Sequence, residues 1–382
     1  MGYDADVIVV GAGPGGGSAA YFLRQKGYKV LLLEKERLPR YKACAGGVPV
    51  RGLELFPFSF DPVVEQSINR ATFVMGHQQV TQQVPSQCLV MVMRDRFDAY
   101  LLEQAAVPVE DRTKVTRVIP RGGWAEARTD DGRCFKAPFL LGADGPNSVV
   151  ARHCGLKPGG SMGVALEAEV EPGHRIQRAF RSRFLIGLAE ASEGYCWVFP
   201  KSSHLSVGIG NMCKGASGLK QQLITAMNRF GIPLDGARIL GHPLPTFTGR
   251  QRLRQDTICL LGDAAGLVDP LTGEGIRHAL LSGKLAAEAI AQGSLEMYSR
   301  RVWQEIGRDL LWARRLARLF YMKQAASFSW LIRNAWVFED MMHIVSNRLS
   351  YMGAVLKLPL YAVMIGKRRP LDAEPLDGAW AS

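Results

Sequence analysis

Paired cysteines are what this chain most visibly lacks: its seven cysteines, at 44, 88, 134, 154, 196, 213 and 259, never fall in a Cys-x-x-Cys spacing. An odd, scattered set argues against a disulfide framework and suits a reducing compartment. Metal-ligand spacings are missing too, so no metal is expected. Long apolar runs are scarce. Val7-Ile8-Val9-Val10 is far too short for a signal peptide or a bilayer span, which predicts that the chemistry faces the cytoplasm. No repeat of solenoid or propeller length occurs. Acidic residues are in deficit, 35 against 47 Lys and Arg, for a net charge of +12. Such an excess fits anionic lipid, a phosphorylated substrate or a plain solvated surface. Without an RNA-binding signature, nucleic acid is not an expected partner.

What remains is ordinary globular composition, 47% hydrophobic and 21% charged over 382 residues, enough for two joined domains and a tail. The opening residues are the most informative. Asp6-Val7-Ile8-Val9-Val10 reads as a buried parallel strand and runs into Gly11-Ala12-Gly13-Pro14-Gly15-Gly16-Gly17. A helical segment follows, then a second strand, Lys29-Val30-Leu31-Leu32-Leu33, ending in Glu34 and Lys35. This is the dinucleotide fingerprint with all its parts in order. Gly11 permits the tight turn, Gly13 lets the backbone approach a pyrophosphate, and Gly16 allows the helix to sit close on the strand. The helix offers unpaired N–H groups to phosphates. Glu34 stands where a carboxylate accepts ribose hydroxyls and disfavours a 2′-phosphate, so the nucleotide is the adenosine half of FAD or NAD.

Two later segments choose between these. Phe139-Leu140-Leu141-Gly142-Ala143-Asp144-Gly145 is an apolar strand ending in Gly-Ala-Asp-Gly. Thr257-Ile258-Cys259-Leu260-Leu261-Gly262-Asp263-Ala264 is another, leading through Gly273-Glu274-Gly275-Ile276 into a long helix. A carboxylate directly after a strand can reach ribityl hydroxyls, and a helix opening at Gly275 and Ile276 can face the flavin O2/N1 region. Fingerprint and motifs in this order resemble the p-hydroxybenzoate hydroxylase-like flavoproteins. The resemblance implies that FAD is the cofactor, that Asp144 lies in a fold motif near the pyrophosphate, and that Asp263 binds the ribityl–pyrophosphate region. It also implies that Arg94, in Arg94-Asp95-Arg96-Phe97-Asp98, approaches the FAD. No second fingerprint is found: Gly208-Ile209-Gly210 sits in a strand-like run. The reductant is therefore a docked NAD(P)H or a reduced electron carrier.

Two further signatures, Tyr41-Lys42-Ala43-Cys44-Ala45-Gly46-Gly47-Val48 and Glu193-Gly194-Tyr195-Cys196-Trp197-Val198-Phe199-Pro200, resemble the geranylgeranyl reductase family. That resemblance implies saturation of isoprenoid C=C bonds, on a geranylgeranyl chain carried by a lipid, pigment, quinone or diphosphate, with hydride from reduced flavin N5. Alternation along a strand places Tyr195, Trp197 and Phe199 on one face, with Cys196 and Val198 on the other. Aromatic faces stabilise a developing cation by about 0.5–2 kcal/mol each and would grip a prenyl chain. A plain sheet core explains the same pattern. Cys44 and Ala45 lie in a glycine-rich loop able to fold over the flavin. Cys44 either supplies or relays the proton, water being the other source, or merely packs; Cys196 reads as core. Rival readings are an aromatic or polyketide monooxygenase, a halogenase (though no Trp-x-Trp-x-Ile run is present), and a membrane-associated electron-transfer flavoprotein.

These motifs predict an α/β chain with a discontinuous Rossmann-type FAD-binding domain (1–55, 94–155 and 250–292). Residues 56–93 and 156–249 would form an antiparallel-sheet substrate domain, with a helix near Leu219 to Phe230. Residues 293–382 would form a helical region. There Arg300, Arg301, Arg308, Arg314, Arg315 and Arg318 interleave with Trp303, Ile306 and Leu310 at helical spacing. Helices of this type suit the inner face of a membrane, or simply cover the sheet domain. Leu349 to Gly366 is the most apolar stretch, but Lys357 and Pro359 interrupt it, so an interfacial or packed helix pair is expected ahead of a true span. Lys367-Arg368-Arg369 would follow at headgroup level.

Overall fold

A computed structural model describes residues 2–84, 88–156, 160–212, 217–293, 295–364 and 374–375. Cys213 and Lys367-Arg368-Arg369 lie outside the described residues.

The β-branched run Val7–Val10 becomes the inner strand of a six-stranded sheet, buried along its whole length. It pairs in parallel with Val30–Leu33 on one side and Phe139–Gly142 on the other, and Ile258–Leu260 extends the sheet beyond Phe139–Gly142. Strands with both faces covered read as continuous apolar runs, which is how these four appear in the sequence. The helices Pro14–Gln25 and Ile276–Ala291 pack closely on one another. A Cβ on Gly283 would lie 2.5 Å from the Gly15 carbonyl oxygen, and Ser18 Oγ donates to the Leu280 carbonyl at 2.6 Å.

A second sheet runs in the order Leu240–Phe247, Gly160–Val170, Leu205–Asn211, Gly194–Pro200, Arg183–Leu188, Arg70–Met75, Gln78–Gln83 and Glu374–Pro375. It is antiparallel except where Arg183–Leu188 meets Arg70–Met75. The helix Leu219–Arg229 covers one face, where Cys196, Val198, Val207 and Ile209 pack with Leu223, Met227 and Phe230. Cys196 is core, as its strand alternation predicts.

The C-terminal region is helical: Leu295–Val302, a wider turn over Trp303–Gly307, then Arg308–Met322, Gln324–Arg333, Ala335–Val345 and Tyr351–Met364. Ile306, Leu310, Ala313 and Ala317 form the buried stripe. The arginines divide by role. Arg301 pairs with Glu288 and Glu305, and Arg314 donates to the Thr248 carbonyl. Arg300, Arg308, Arg315 and Arg318 are exposed. The apolar stretch near the end is the helix Tyr351–Met364, with Pro359 inside it and Lys357 paired to Asp340 at 2.9 Å. No helix among the described residues is long and apolar enough to cross a membrane.

Candidate functional site

Four strands of the first sheet end at one edge, and the turns that follow them border a cavity of about 1470 Å³. Its other walls are the open face of the second sheet and the C-terminal helices. Ligand pockets commonly hold roughly 300–1,000 Å³, so this one has room for a dinucleotide and a second, long ligand.

The three fingerprint glycines have different surroundings. Gly11 has φ +103°, and a Cβ there would meet the Ala143 carbonyl oxygen at 2.3 Å. Gly16 lies behind the cavity wall, where a Cβ would fall 1.9 Å from the Gly11 carbonyl oxygen. Gly13 instead faces open space, with only Arg40 and Arg94 guanidinium nitrogens at 3.8 Å from its Cβ position. It precedes a helix with no side-chain cap, leaving N–H groups for an anion. Glu34 is buried and fixed by the Ala12 N–H at 2.8 Å and the Glu36 N–H at 3.1 Å; Lys35 lines the same wall, exposed.

Opposite this turn stands a cluster of cations. Arg94 is buried and binds Asp98 through two bonds of 3.0 and 2.9 Å, and Arg40 reaches the same carboxylate at 3.1 Å. Burial works against the Arg94 charge, but Asp98 and a hydrogen bond with Cys44 tighten its hold on the proton. Lys42 is lowered by burial and by the charge of Arg94. Asp263 would be raised by burial, yet a hydrogen bond from His242 and the charges of Lys42 and Arg94 bring it below the usual carboxylate range. Asp144 borders the cavity, but its carboxylate is taken up by Ser148 Oγ, Val149 N–H and Val150 N–H at 2.6, 2.6 and 3.1 Å. Its direct contribution is to hold the turn.

On the Gly262 side, Gly273, Gly275 and Ile276 line the cavity where the helix Ile276–Ala291 begins. Glu274 Oε1 accepts the Arg277 N–H at 2.6 Å. Three tyrosines grip the Asp269–Gly275 loop. Tyr195 donates to the Thr272 carbonyl, Tyr321 to the Leu271 carbonyl at 2.5 Å, and Tyr351 to Asp269 Oδ2 at 2.6 Å.

Tyr195, Trp197 and Phe199 share the cavity face of the second sheet, with ring centroids 6.3 and 6.5 Å apart in succession. Gly208, opposite Trp197, leaves the space that the indole fills. The loop carrying Cys44 and Ala45 folds over this face. Gly46 N–H donates to Cys44 Sγ at 3.4 Å, and the buried Lys201 Nζ donates to the carbonyls of Ala45 and Val92, both at 2.8 Å.

Sequence reasoning missed Lys42, Lys201, Glu167 and His242. Lys42 lies inside the first signature and Lys201 directly follows the second, which was the available signal. Glu167 and His242 come to the cavity only through strand pairing.

The donor set fits FAD: an open turn at a helix N-terminus with cations for the pyrophosphate, a fixed acid for ribose, and Asp263 with a second helix N-terminus beyond. Comparison with known proteins agrees. The sequence profile described as "FAD binding domain" matches residues 4–206. The chain is 30% identical to the chloroplastic geranylgeranyl diphosphate reductase of Nicotiana tabacum, across 78% of this chain and 68% of that one. It is also 30% identical to the digeranylgeranylglycerophospholipid reductase of Methanocaldococcus jannaschii, across 78% of this chain and 82% of the relative. A solved geranylgeranyl bacteriochlorophyll reductase-like protein from Thermoplasma acidophilum shares the fold, with TM-score 0.74 and 22% identity over 95% of this chain and 97% of that one.

Proposed function

This chain belongs to the FAD-dependent geranylgeranyl reductase family of oxidoreductases, and on that premise we propose that it saturates C=C bonds of a geranylgeranyl-type chain. The observation that carries the reading is the form of the cavity. From the polar turns of the first sheet it continues past Tyr195, Trp197 and Phe199 to an arm lined by the C-terminal helices, where Leu316, Val337, Ile344 and Leu358 stand beside Asp309, Lys323 and Asp340. A polyisoprenoid fits such an arm better than a compact aromatic substrate does.

Bound and reduced, FAD supplies the hydride from N5. The chain's own residues do the rest. The aromatic strip grips the alkene and offers ring faces to positive charge developing at a tertiary carbon. The Cys44 loop, tied down by Lys201 and Arg94, excludes water from the cavity. The helix beginning at Ile276 presents its positive end where negative charge accumulates. The reductant is a docked NAD(P)H or a reduced electron carrier, since Gly208 and Gly210 lie in a strand and build no second nucleotide site.

The cavity arm reaches helices that expose Leu319, Met322 and Leu356, at 62, 69 and 72% exposure, near Arg315 and Arg318. This rim suits peripheral contact with a membrane bearing anionic lipid, from which a prenylated lipid would enter. Reacting the reduced holoenzyme with geranylgeranyl substrates of different head groups tests the proposal. Saturated product from at least one supports it, and a full set of unchanged substrates contradicts it.

A further inference from the structure

The strand Gly160–Val170 carries two acids on one face, Glu167 and Glu169, and Glu167 is the buried one. Pairing places Trp197, Gly208 and Glu167 in a single cross-strand row, so all three side-chain positions share the cavity face. Glu167 is 4% exposed and borders the cavity. Its Oε1 accepts Ser206 Oγ at 2.7 Å. Its Oε2 is buried and makes no well-formed hydrogen bond among the described residues, although the Cys44 backbone N–H is close enough to favour the anion. A buried carboxylate oxygen left this way is costly, whereas a protonated carboxyl in the same place has a donor to offer.

We propose that Glu167 is the acid of this cavity and protonates the alkene carbon adjacent to the one that receives the hydride. The inference rests on the reductase reading. In the step, the π bond breaks, one carbon gains a hydride from the reduced flavin, and its neighbour gains the Glu167 proton. The carboxylate left behind is stabilised by Lys201 and regains a proton from water between turnovers. The charged surroundings suit this cycle. Burial raises Glu167 to about 7, Ser206 and Lys201 hold it from going higher, and Glu169 on the same strand pushes it up. Lys201 is itself lowered by burial, with Cys44, Glu167 and Glu65 supporting its charge. On the loop side Tyr41 hydrogen-bonds Glu169, and on the next strand His242 is committed to Asp263. Cys44 then serves as a wall and Glu167 as the proton source, in place of the Cys44 thiol or water that the sequence suggested.

The test uses the holoenzyme and its Glu167→Gln variant. In infrared titration of protein labelled with ¹³C-glutamate, wild type should show a protonated-carboxyl band that disappears as pH rises past neutrality and is missing from the variant. The variant should take up FAD and accept electrons from an artificial donor as wild type does. Its alkene reduction should fall by at least about 10²-fold, the usual weight of a positioned acid. Alkene reduction within a few-fold of wild type, or no titrating band assignable to Glu167, overturns the proposal. A wild-type enzyme that saturates no prenyl chain overturns the reductase reading as well, whereas an active wild type beside an equally active variant overturns the proposal alone.

Discussion

The indole of Trp197 lies across Gly208: a Cβ built on that glycine would sit 2.1 Å from Trp197 Cζ2 and 2.4 Å from the Leu166 carbonyl oxygen. Neither neighbour can yield cheaply, since one is a packed ring and the other backbone. Gly208→Ala is therefore expected to cost about 1–3 kcal/mol of stability and to displace the indole toward the cavity. Urea denaturation and Trp fluorescence, with alkene-reduction rates measured alongside, check this. An unchanged midpoint with full activity would show that the ring is free to move.

Gly16→Ala should abolish flavin retention. The added methyl would fall 1.9 Å from the Gly11 carbonyl oxygen, so the helix must lift from the strand and spoil the turn proposed to receive the pyrophosphate. The ratio of flavin to protein absorbance after purification and reconstitution reports it. A variant that reconstitutes fully with FAD contradicts this account of the turn.

Tyr351→Phe removes the hydroxyl that donates to the buried Asp269 Oδ2. A buried carboxylate oxygen losing its donor costs about 1–3 kcal/mol. The damage should reach the cofactor, because Asp269 Oδ1 holds the Leu271 and Thr272 amides at 2.7 and 3.1 Å in the loop leading to Gly275. Expected outcomes are weaker FAD binding by calorimetry and a lower melting temperature. FAD affinity equal to wild type would show that the Asp269–Gly275 loop and the helices gripping it do not hold the cofactor.

Glu167 also makes stability depend on pH. Its folded-state pKa, about 7, lies above the ordinary glutamate value of 4.5, so its contribution is fully present below 4.5 and is lost as pH rises through about 7. The loss amounts to about 3 kcal/mol at most, at about 1.4 kcal/mol per pH unit. Glu167→Gln should remove that slope and leave the variant more stable than wild type, relative to their difference at pH 5, when both are unfolded in urea at pH 8. Parallel pH profiles for the two proteins would contradict this assignment.

Much of this was legible in sequence, and unevenly so. The first sheet reads easily because its buried strands are β-branched runs punctuated by glycines that only a nucleotide turn requires: Gly11, Gly13 and Gly16 carry local geometry in their own spacing. Tyr195, Trp197 and Phe199 were readable for the same reason, since alternation within one strand fixes a shared face. Glu167 and Lys201 were not, because what matters about them is pairing between distant segments: the opposition of Glu167 to Gly208 is set by register. Asp144 shows the converse, a residue whose motif stands out and whose carboxylate is spent on capping the next turn. The C-terminal helices announce their amphipathic stripe, but not that Tyr321 and Tyr351 reach back to the Asp269–Gly275 loop.

The central claim is most directly tested by mass spectrometry of geranylgeranyl substrates after anaerobic incubation with the dithionite-reduced, FAD-loaded protein. Products heavier by two hydrogens for each saturated bond, formed without oxygen and only when flavin is bound, are the predicted result. Unaltered substrate masses for lipid, diphosphate and pigment head groups alike, from protein confirmed to hold reduced FAD, would contradict it.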